Sequence, residues 1–187
     1  MRQCYFGEPP SPMWERTVSL LDEQIVDEWL NRQGFFTMRG IKIGRQEIDF
    51  LAVRHTDAGL ERWHVEVQAS FRPIGYLGGD NNARKRSPDE IKLGVQQYVE
   101  KKFKSEVKNK RRLETKMGSE WQFVLVHAVL KGHDTVTSCL NESGVKTISY
   151  DQVLMDLIGD DKTSSSIAND ILEIMRFVKP AISRAAP

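Results

Sequence analysis

Two acidic side chains stand inside apolar stretches of the sequence between residues 46 and 70. Asp49 belongs to the first of two runs in which apolar and polar residues alternate, 47–54, and Glu66 belongs to the second, 62–69. A buried carboxylate without a partner costs free energy, so strands this apolar seldom contain acids. Two carboxylates that converge from adjacent strands are most simply explained by a divalent cation that both ligate. The sequence therefore predicts a metal site at Asp49 and Glu66.

A β-hairpin is the element that would bring these two carboxylates together. Alternation with a period of two predicts strands whose successive side chains point to opposite faces, and a polar turn with Asp57 and Gly59 separates the two runs. Gln68 follows Glu66 by two residues and therefore shares its face. The partner strand places Asp49 beside Glu66.

A helix and a strand are predicted before the hairpin. Apolar residues recur every three or four positions from Pro12 to residue 33, which predicts an amphipathic helix with Glu23 in its middle and Gly34 at its end. Residues 35–44 are typical of a strand with a kink or bulge near Gly40.

The remaining segments complete one α/β domain over residues 1–187. Ser87, Pro88 and Glu90 form a capping box that opens a helix. The other predicted segments are a leader at 1–11, a loop at 71–87, a loop or basic insertion at 105–119 that is too charged for the core, a buried strand at 121–130, a short helix at 135–140, a strand at 145–150, a helix capped by Asp151, a last helix from Ser166 to 179 and a loose tail at 180–187. This order predicts an α/β sandwich around a mixed sheet.

The composition narrows the setting of the protein. Of the 187 residues, 40% are hydrophobic and 28% are charged, which is typical of one compact domain. No apolar run is long enough for a membrane span, so no membrane partner is expected. Cys4 and Cys139 are too few for a disulfide framework or a cysteine zinc site, which favours a cytoplasmic location.

Positive charge is concentrated in one part of the chain. Residues 82–116 contain 12 Lys and Arg against 5 Asp and Glu, although the whole chain has a net charge of only +1. Such a stretch is typical of a surface that meets polyanions, and a solvated basic helix would have the same composition. Charge alone leaves both interpretations open.

The acidic residues and the order of elements resemble the PD-(D/E)xK nuclease superfamily over residues 12–158. Glu23 matches the glutamate of the first helix, Asp49 the aspartate of the second strand and Glu66 the glutamate of the third. The resemblance implies a restriction-endonuclease-like αβββαβ core and a metal-dependent endonuclease that hydrolyses DNA with Mg²⁺ or Mn²⁺. Asp49, Glu66 and the carbonyl of Val67 would then bind the metal, and Glu23 would hold a second ion or its water.

Gln68 departs from the family pattern, because a lysine normally occupies its position. A glutamine amide can orient a water molecule but cannot take a proton from it. One interpretation retains activity, with Gln68 positioning the water or a lysine such as Lys42 or Lys92 acting from elsewhere. Another is an inactive nuclease-fold module that binds nucleic acid or a protein partner. A third is a small α/β protein whose hairpin acids are exposed and far apart.

The basic stretch supplies the predicted contacts to DNA. A phosphodiester-binding face needs cations near the metal, and the residues expected to hold the backbone are Arg84, Lys85, Arg86 and Lys92. The sequence also allows a homodimer.

Histidines and a tyrosine are secondary candidates. His64 shares a strand face with Glu66, so the two could ligate a transition metal, but no further His or Cys cluster supports this and His64 is expected to line the same groove or to pack at its edge. His127 and Tyr98 are expected in the core.

Overall fold

A computed structural model describes residues 13–44, 46–68, 87–128, 130, 133–159 and 170–176, with side chains from residue 21 onward except that of His133. The predicted leader, the tail and nearly all of the loop at 71–87 lie outside these residues, as do Arg84, Lys85 and Arg86. Among the described helices, none combines the length and the apolar character needed to cross a membrane.

Helices flank one five-stranded sheet. In chain order the elements are α1 (Met13–Arg32), β1 (Phe36–Ile43), β2 (Gln46–Thr56), β3 (Gly59–Gln68), α2 (Pro88–Val99), a π-helical turn (Glu100–Lys104), α3 (Glu106–Glu114), β4 (Gln122–His127), α4 (His133–Glu142), β5 (Val145–Ser149) and α5 (Tyr150–Gly159). The strands lie in the order β1-β2-β3-β4-β5. The β1–β2 and β2–β3 pairs are antiparallel, whereas β3–β4 and β4–β5 are parallel. The prediction of an α/β fold with a mixed sheet is confirmed.

Each face of the sheet has its own hydrophobic core. One face packs against α1 and α5, and the other packs against α2, the π-helical turn and α4. Fully buried side chains such as Leu30 and Leu125 each contribute about 1.5–3 kcal/mol from apolar burial. The Trp29 indole N–H donates to Asp156 at 2.9 Å and so ties α1 to α5.

Local signals in the sequence set the end of α1 and the start of α2. Gly34, with φ +83°, follows the end of α1, and the predicted capping box at Ser87 is present at the start of α2. The expected cap at Asp151 is wrong. α5 already begins at Tyr150, and the Ser149 hydroxyl accepts the N–H of Gln152 at 3.1 Å.

Apolar spacing in the sequence predicts that Ile171, Ile174 and Met175 lie on the inner face of the last helix. The structure differs within 170–176, the part described. Leu172 is fully buried there, whereas Ile174 is largely exposed. Apolar spacing alone fixed the period of this helix but not its rotation about its axis.

A kink interrupts β1 and β2 where Gly40 faces Asp49. Gly40 has φ +61°, and the β1–β2 register is the same on both sides of it, so the strand bends without an inserted residue. Ile48 and Leu51 pack in one cluster although they are three residues apart, whereas Phe50 packs on the opposite face. The alternation of side chains therefore shifts at Asp49.

The segment expected to be too charged for the core enters it. Residues 106–114 form α3, and its Lys108 and Arg112 are buried at 2% and 4% exposure. This corrects the prediction of a loop or basic insertion at 105–119. Burial of the two cations is tolerated because polar groups of the sheet and of the π-helical turn bind them.

Candidate active site

Asp49 lies where β2 and β3 separate. The ladder between these strands ends at the pair Phe50–Val65, although both strands continue beyond it. Past that pair, the Asp49 carboxylate accepts the N–H of Val67 through Oδ2 at 2.8 Å. A side-chain oxygen thus replaces a backbone acceptor, which places Asp49 against the strand that carries Glu66.

Glu66 is buried, with 1% exposure, and three side chains bind it. Lys102 Nζ lies 2.9 Å from its Oε2, Lys108 Nζ lies 2.6 Å from its Oε1, and His64 Nε2 lies 3.0 Å from Oε1. Burial by itself would raise the pKa of this carboxyl. The hydrogen bond from His64 and the two ammonium groups outweigh burial and hold the pKa of Glu66 below its ordinary value. Glu66 is therefore ionised at neutral pH.

His64 connects Glu66 to α3 in the protein interior. Arg112 Nη1 lies 2.8 Å from its Nδ1, and burial lowers the pKa of His64 to about 4. A neutral ring that accepts from arginine at Nδ1 must carry its proton on Nε2 and donate it to Glu66. The His64 side chain is fully buried, so it packs beside Glu66 and does not line the groove as one of the two predictions had it. It fixes the orientation of Glu66.

The pKa of the Asp49 carboxyl is raised by burial and by the neighbouring acids. Burial and the charge of Glu66 together raise its pKa to about 7, although the Val67 N–H opposes the shift. Glu23 on α1 also raises the pKa of Asp49, so the structure brings all three predicted acids within electrostatic range. A cation near these carboxylates would relieve their mutual repulsion and ionise Asp49 fully.

Gln68 is held by the helix opposite its strand. The Tyr98 hydroxyl donates to its Oε1 at 2.9 Å. Burial and the charges of Glu66 and Asp49 raise the pKa of the Tyr98 phenol, so it stays protonated and keeps donating. With its oxygen engaged in this way, the Gln68 amide presents its two N–H donors on the nitrogen. Tyr98 is therefore a positioning residue as well as a core residue.

The donor set fits a magnesium ion that completes its shell with water and substrate. Across the described ranges, no group of three or more His, Cys, Asp or Glu side chains is arranged to hold a metal ion. Mg²⁺ is commonly bound by only one or two carboxylates together with waters and phosphate oxygens. Asp49 and Glu66 would supply these two if an ammonium left Glu66, because Lys102 and Lys108 occupy its two oxygens. The Val67 N–H binds Asp49, and its carbonyl remains the predicted third ligand.

Sequence reasoning missed the cations that contact the site. The lysines that it offered in place of the missing family lysine, Lys42 and Lys92, are both exposed in the structure. Lys102 follows Tyr98 by four residues, so the helical period would have placed it on the same face as the tyrosine. No comparable signal marks Lys108, because the turn after the π-helix decides where α3 docks.

A separate cleft lies at the other end of β3, β4 and β5, lined in part by Lys104, Gln122 and Ser143. The Trp63 indole donates to Glu61 at 2.9 Å, and the Lys146 ammonium covers the Trp63 ring at 4.6 Å. The Trp121 indole donates to the Gly118 carbonyl at 3.1 Å. The site at Asp49 and Glu66 presents the stronger case for chemistry, because two carboxylates from adjacent strands interact there.

Comparisons with known proteins do not assign a family. No family model matches the chain, and no curated protein matches it. Among solved structures, it is similar to AF1548, described as a protein of unknown function, with 15% identity over 83% of this chain and 78% of that chain and a TM-score of 0.43. A likeness at this level leaves the function to be argued from the side chains.

Proposed function

We propose that this protein is a metal-dependent endonuclease that hydrolyses phosphodiester bonds in DNA. The observation that carries the proposal is the arrangement at the divergent ends of β2 and β3. Two carboxylates, Asp49 and Glu66, share one electrostatic environment there, and a partly exposed ammonium, that of Lys102, joins them from the helical side. Phosphoryl transfer needs anionic metal ligands beside a cation that can meet a phosphate oxygen.

Each residue has a distinct role in this proposal. Asp49 and Glu66 would hold Mg²⁺ or Mn²⁺, and Glu23 would bind a water molecule or a second ion. The bound ion would polarise the phosphate and lower the pKa of a coordinated water. Gln68 orients the attacking water through its amide N–H groups, while Tyr98 keeps that amide in place. In PD-(D/E)xK nucleases, a lysine at the position of Gln68 supplies a positive charge. Here Lys102 would supply that charge instead.

An inactive module that binds nucleic acid or a protein partner is the second candidate. A specific observation favours it: both oxygens of Glu66 are held by ammonium groups, and Oε1 is also held by His64. A carboxylate paired in this way can serve as a structural anchor. The position of Gln68 offers no base to an attacking water.

Plasmid relaxation with Mg²⁺ or Mn²⁺ tests the nuclease against the inactive module. We expect the wild type to nick supercoiled DNA and to stop when the metal is chelated. Gln68→Lys should remain active, whereas Gln68→Ala should be about 10²-fold slower with DNA affinity nearly unchanged, because the amide acts mainly in the transition state. An inactive wild type beside an active Gln68→Lys variant would establish the inactive module.

The basic residues before α2 are predicted to bind the DNA backbone. Reversing Arg84, Lys85 and Arg86 to glutamate should weaken duplex binding at low salt. The slope of log K against log salt should become shallower by about 2–3, since each lost phosphate contact removes about 0.9 from it. Reversal of Lys42 on β1 is a single-site control. Binding that keeps the wild-type salt slope would show that the three residues do not contact phosphate.

A further inference from the structure

Two lysines bind the same carboxylate, but their surroundings differ. The Lys108 side chain is 3% exposed, and its ammonium shares Glu66 Oε1 with His64. The Lys102 side chain is 35% exposed, and its ammonium binds Oε2. Burial and the shared oxygen keep Lys108 in place. Lys102 has solvent on one side and a flexible four-carbon stem.

The ammonium of Lys102 marks Glu66 Oε2 as the cation position of the site. It lies 2.9 Å from that oxygen, and the charges of Glu66 and Asp49 both attract it. The two acids expected to ligate a metal therefore already hold one positive charge, and that charge is the ammonium of Lys102.

We propose that Lys102 and a divalent cation exchange at Glu66 Oε2, and that the displaced ammonium moves onto a phosphate of the substrate. This inference rests on the proposed nuclease function and adds an order of events to it. The ammonium of Lys102 occupies the position at Oε2 that the divalent ion would take, and two cations at one oxygen repel each other strongly, so the two do not share Oε2. Lys108 is the fixed counter-charge that keeps Glu66 ionised in both arrangements.

Exchange at one oxygen couples the binding of metal and of DNA. A metal that binds alone must displace Lys102 into water, where the ammonium loses its partner. A phosphodiester offers that ammonium a new anion, so metal binds more tightly in the presence of DNA and DNA binds more tightly in the presence of metal. The affinity of the site for metal is therefore low until substrate is present.

Mn²⁺ titrations followed by electron paramagnetic resonance test this coupling without any cleavage step. The full chain is titrated alone and with an uncleavable phosphorothioate duplex. For the wild type we expect the duplex to tighten Mn²⁺ binding by about 5-fold or more. Lys102→Gln should bind Mn²⁺ alone about 10-fold more tightly than the wild type, because the competing charge is gone. It should also lose the effect of the duplex.

Two variants control for the change in charge and for folding. Lys101→Gln removes an exposed lysine from the same helical turn and should behave like the wild type. Lys102→Arg keeps a competing cation at Oε2, so its affinity for Mn²⁺ alone should stay near the wild-type value. Circular dichroism is used to check that each variant is folded.

The outcomes separate this inference from the proposed function. Equal or weaker Mn²⁺ affinity in Lys102→Gln would overturn the exchange, and wild-type cleavage in the same preparation would leave the nuclease proposal standing. A wild type that neither binds Mn²⁺ nor cleaves DNA would overturn both.

Discussion

Replacing Glu66 by glutamine is expected to lower the free energy of unfolding by about 3–5 kcal/mol. The change keeps the volume of the side chain but removes the charge that Lys108 and Lys102 bind. Lys108 would then be a buried cation without a counter-ion, which is among the most destabilising defects that a single substitution can create. Urea denaturation at pH 7 measures the loss.

Two further variants test whether the unpaired charge is the cause. Glu61→Gln, on the same strand, breaks a partly exposed pair with Arg54 and should cost no more than about 1 kcal/mol. Adding Lys108→Met to Glu66→Gln should restore part of the lost stability, since no buried charge is then left alone. Additive losses in the double variant would contradict this account.

The effect of Glu66→Gln should depend on pH in one direction. The folded protein holds the pKa of Glu66 below the ordinary value of 4.5, so the carboxylate contributes its stability above that pH. This contribution is lost as the pH falls through 4.5 toward the lower folded value. The difference between the wild type and the variant should therefore be full at pH 6–8 and shrink in acid.

Replacing Asp49 by asparagine should abolish cleavage and yet stabilise the metal-free protein. We expect the cleavage rate to fall by about 10³-fold or more, because the change removes a carboxylate metal ligand from a partly buried site. The amide oxygen can still accept the Val67 N–H, so the junction of β2 and β3 should persist. Plasmid relaxation and thermal unfolding are measured on the same preparations.

The sign of the stability change follows from the raised pKa of Asp49. A pKa of about 7 in the folded state, against an ordinary 3.8, means that ionised Asp49 opposes folding above neutrality and does not below pH 3.8. Asp49→Asn should therefore add stability at pH 8, at most about 4 kcal/mol, and the gain should diminish between pH 7 and pH 4. Asp57→Asn, in the exposed β2–β3 turn, is the matched control and should change neither property.

Saturating Mg²⁺ should reverse this difference in stability. An ion that binds only the folded wild type raises its unfolding free energy with concentration, whereas the variant lacks the ligand that would bind it. Asp49→Asn that is inactive and also less stable at pH 8 without metal would show that Asp49 is needed for folding.

The sequence by itself determined the strands, most of the helices and the position of the acidic pair, because these depend on local patterns. Period-two alternation located β2 and β3, and the two strands run antiparallel as predicted. Glycine at a positive φ after α1 and the capping box before α2 set boundaries that involve only neighbouring residues. The face shared by Glu66 and Gln68 follows from the geometry of a strand.

Tertiary structure alone decided which cations meet those acids. Lys108 reaches Glu66 across 42 residues of sequence, and Arg112 reaches His64 across 48. α3 contains too few apolar side chains to mark which of its faces is buried. The sequence therefore indicated a solvated segment. Its docking depends on charges supplied by a strand of the sheet, and no local pattern encodes such a pairing. Contacts with Arg112 and Glu66 also make His64 a buried hydrogen-bond donor, whereas the sequence alone placed it at the groove. The role of a histidine depends on the partners of both of its ring nitrogens.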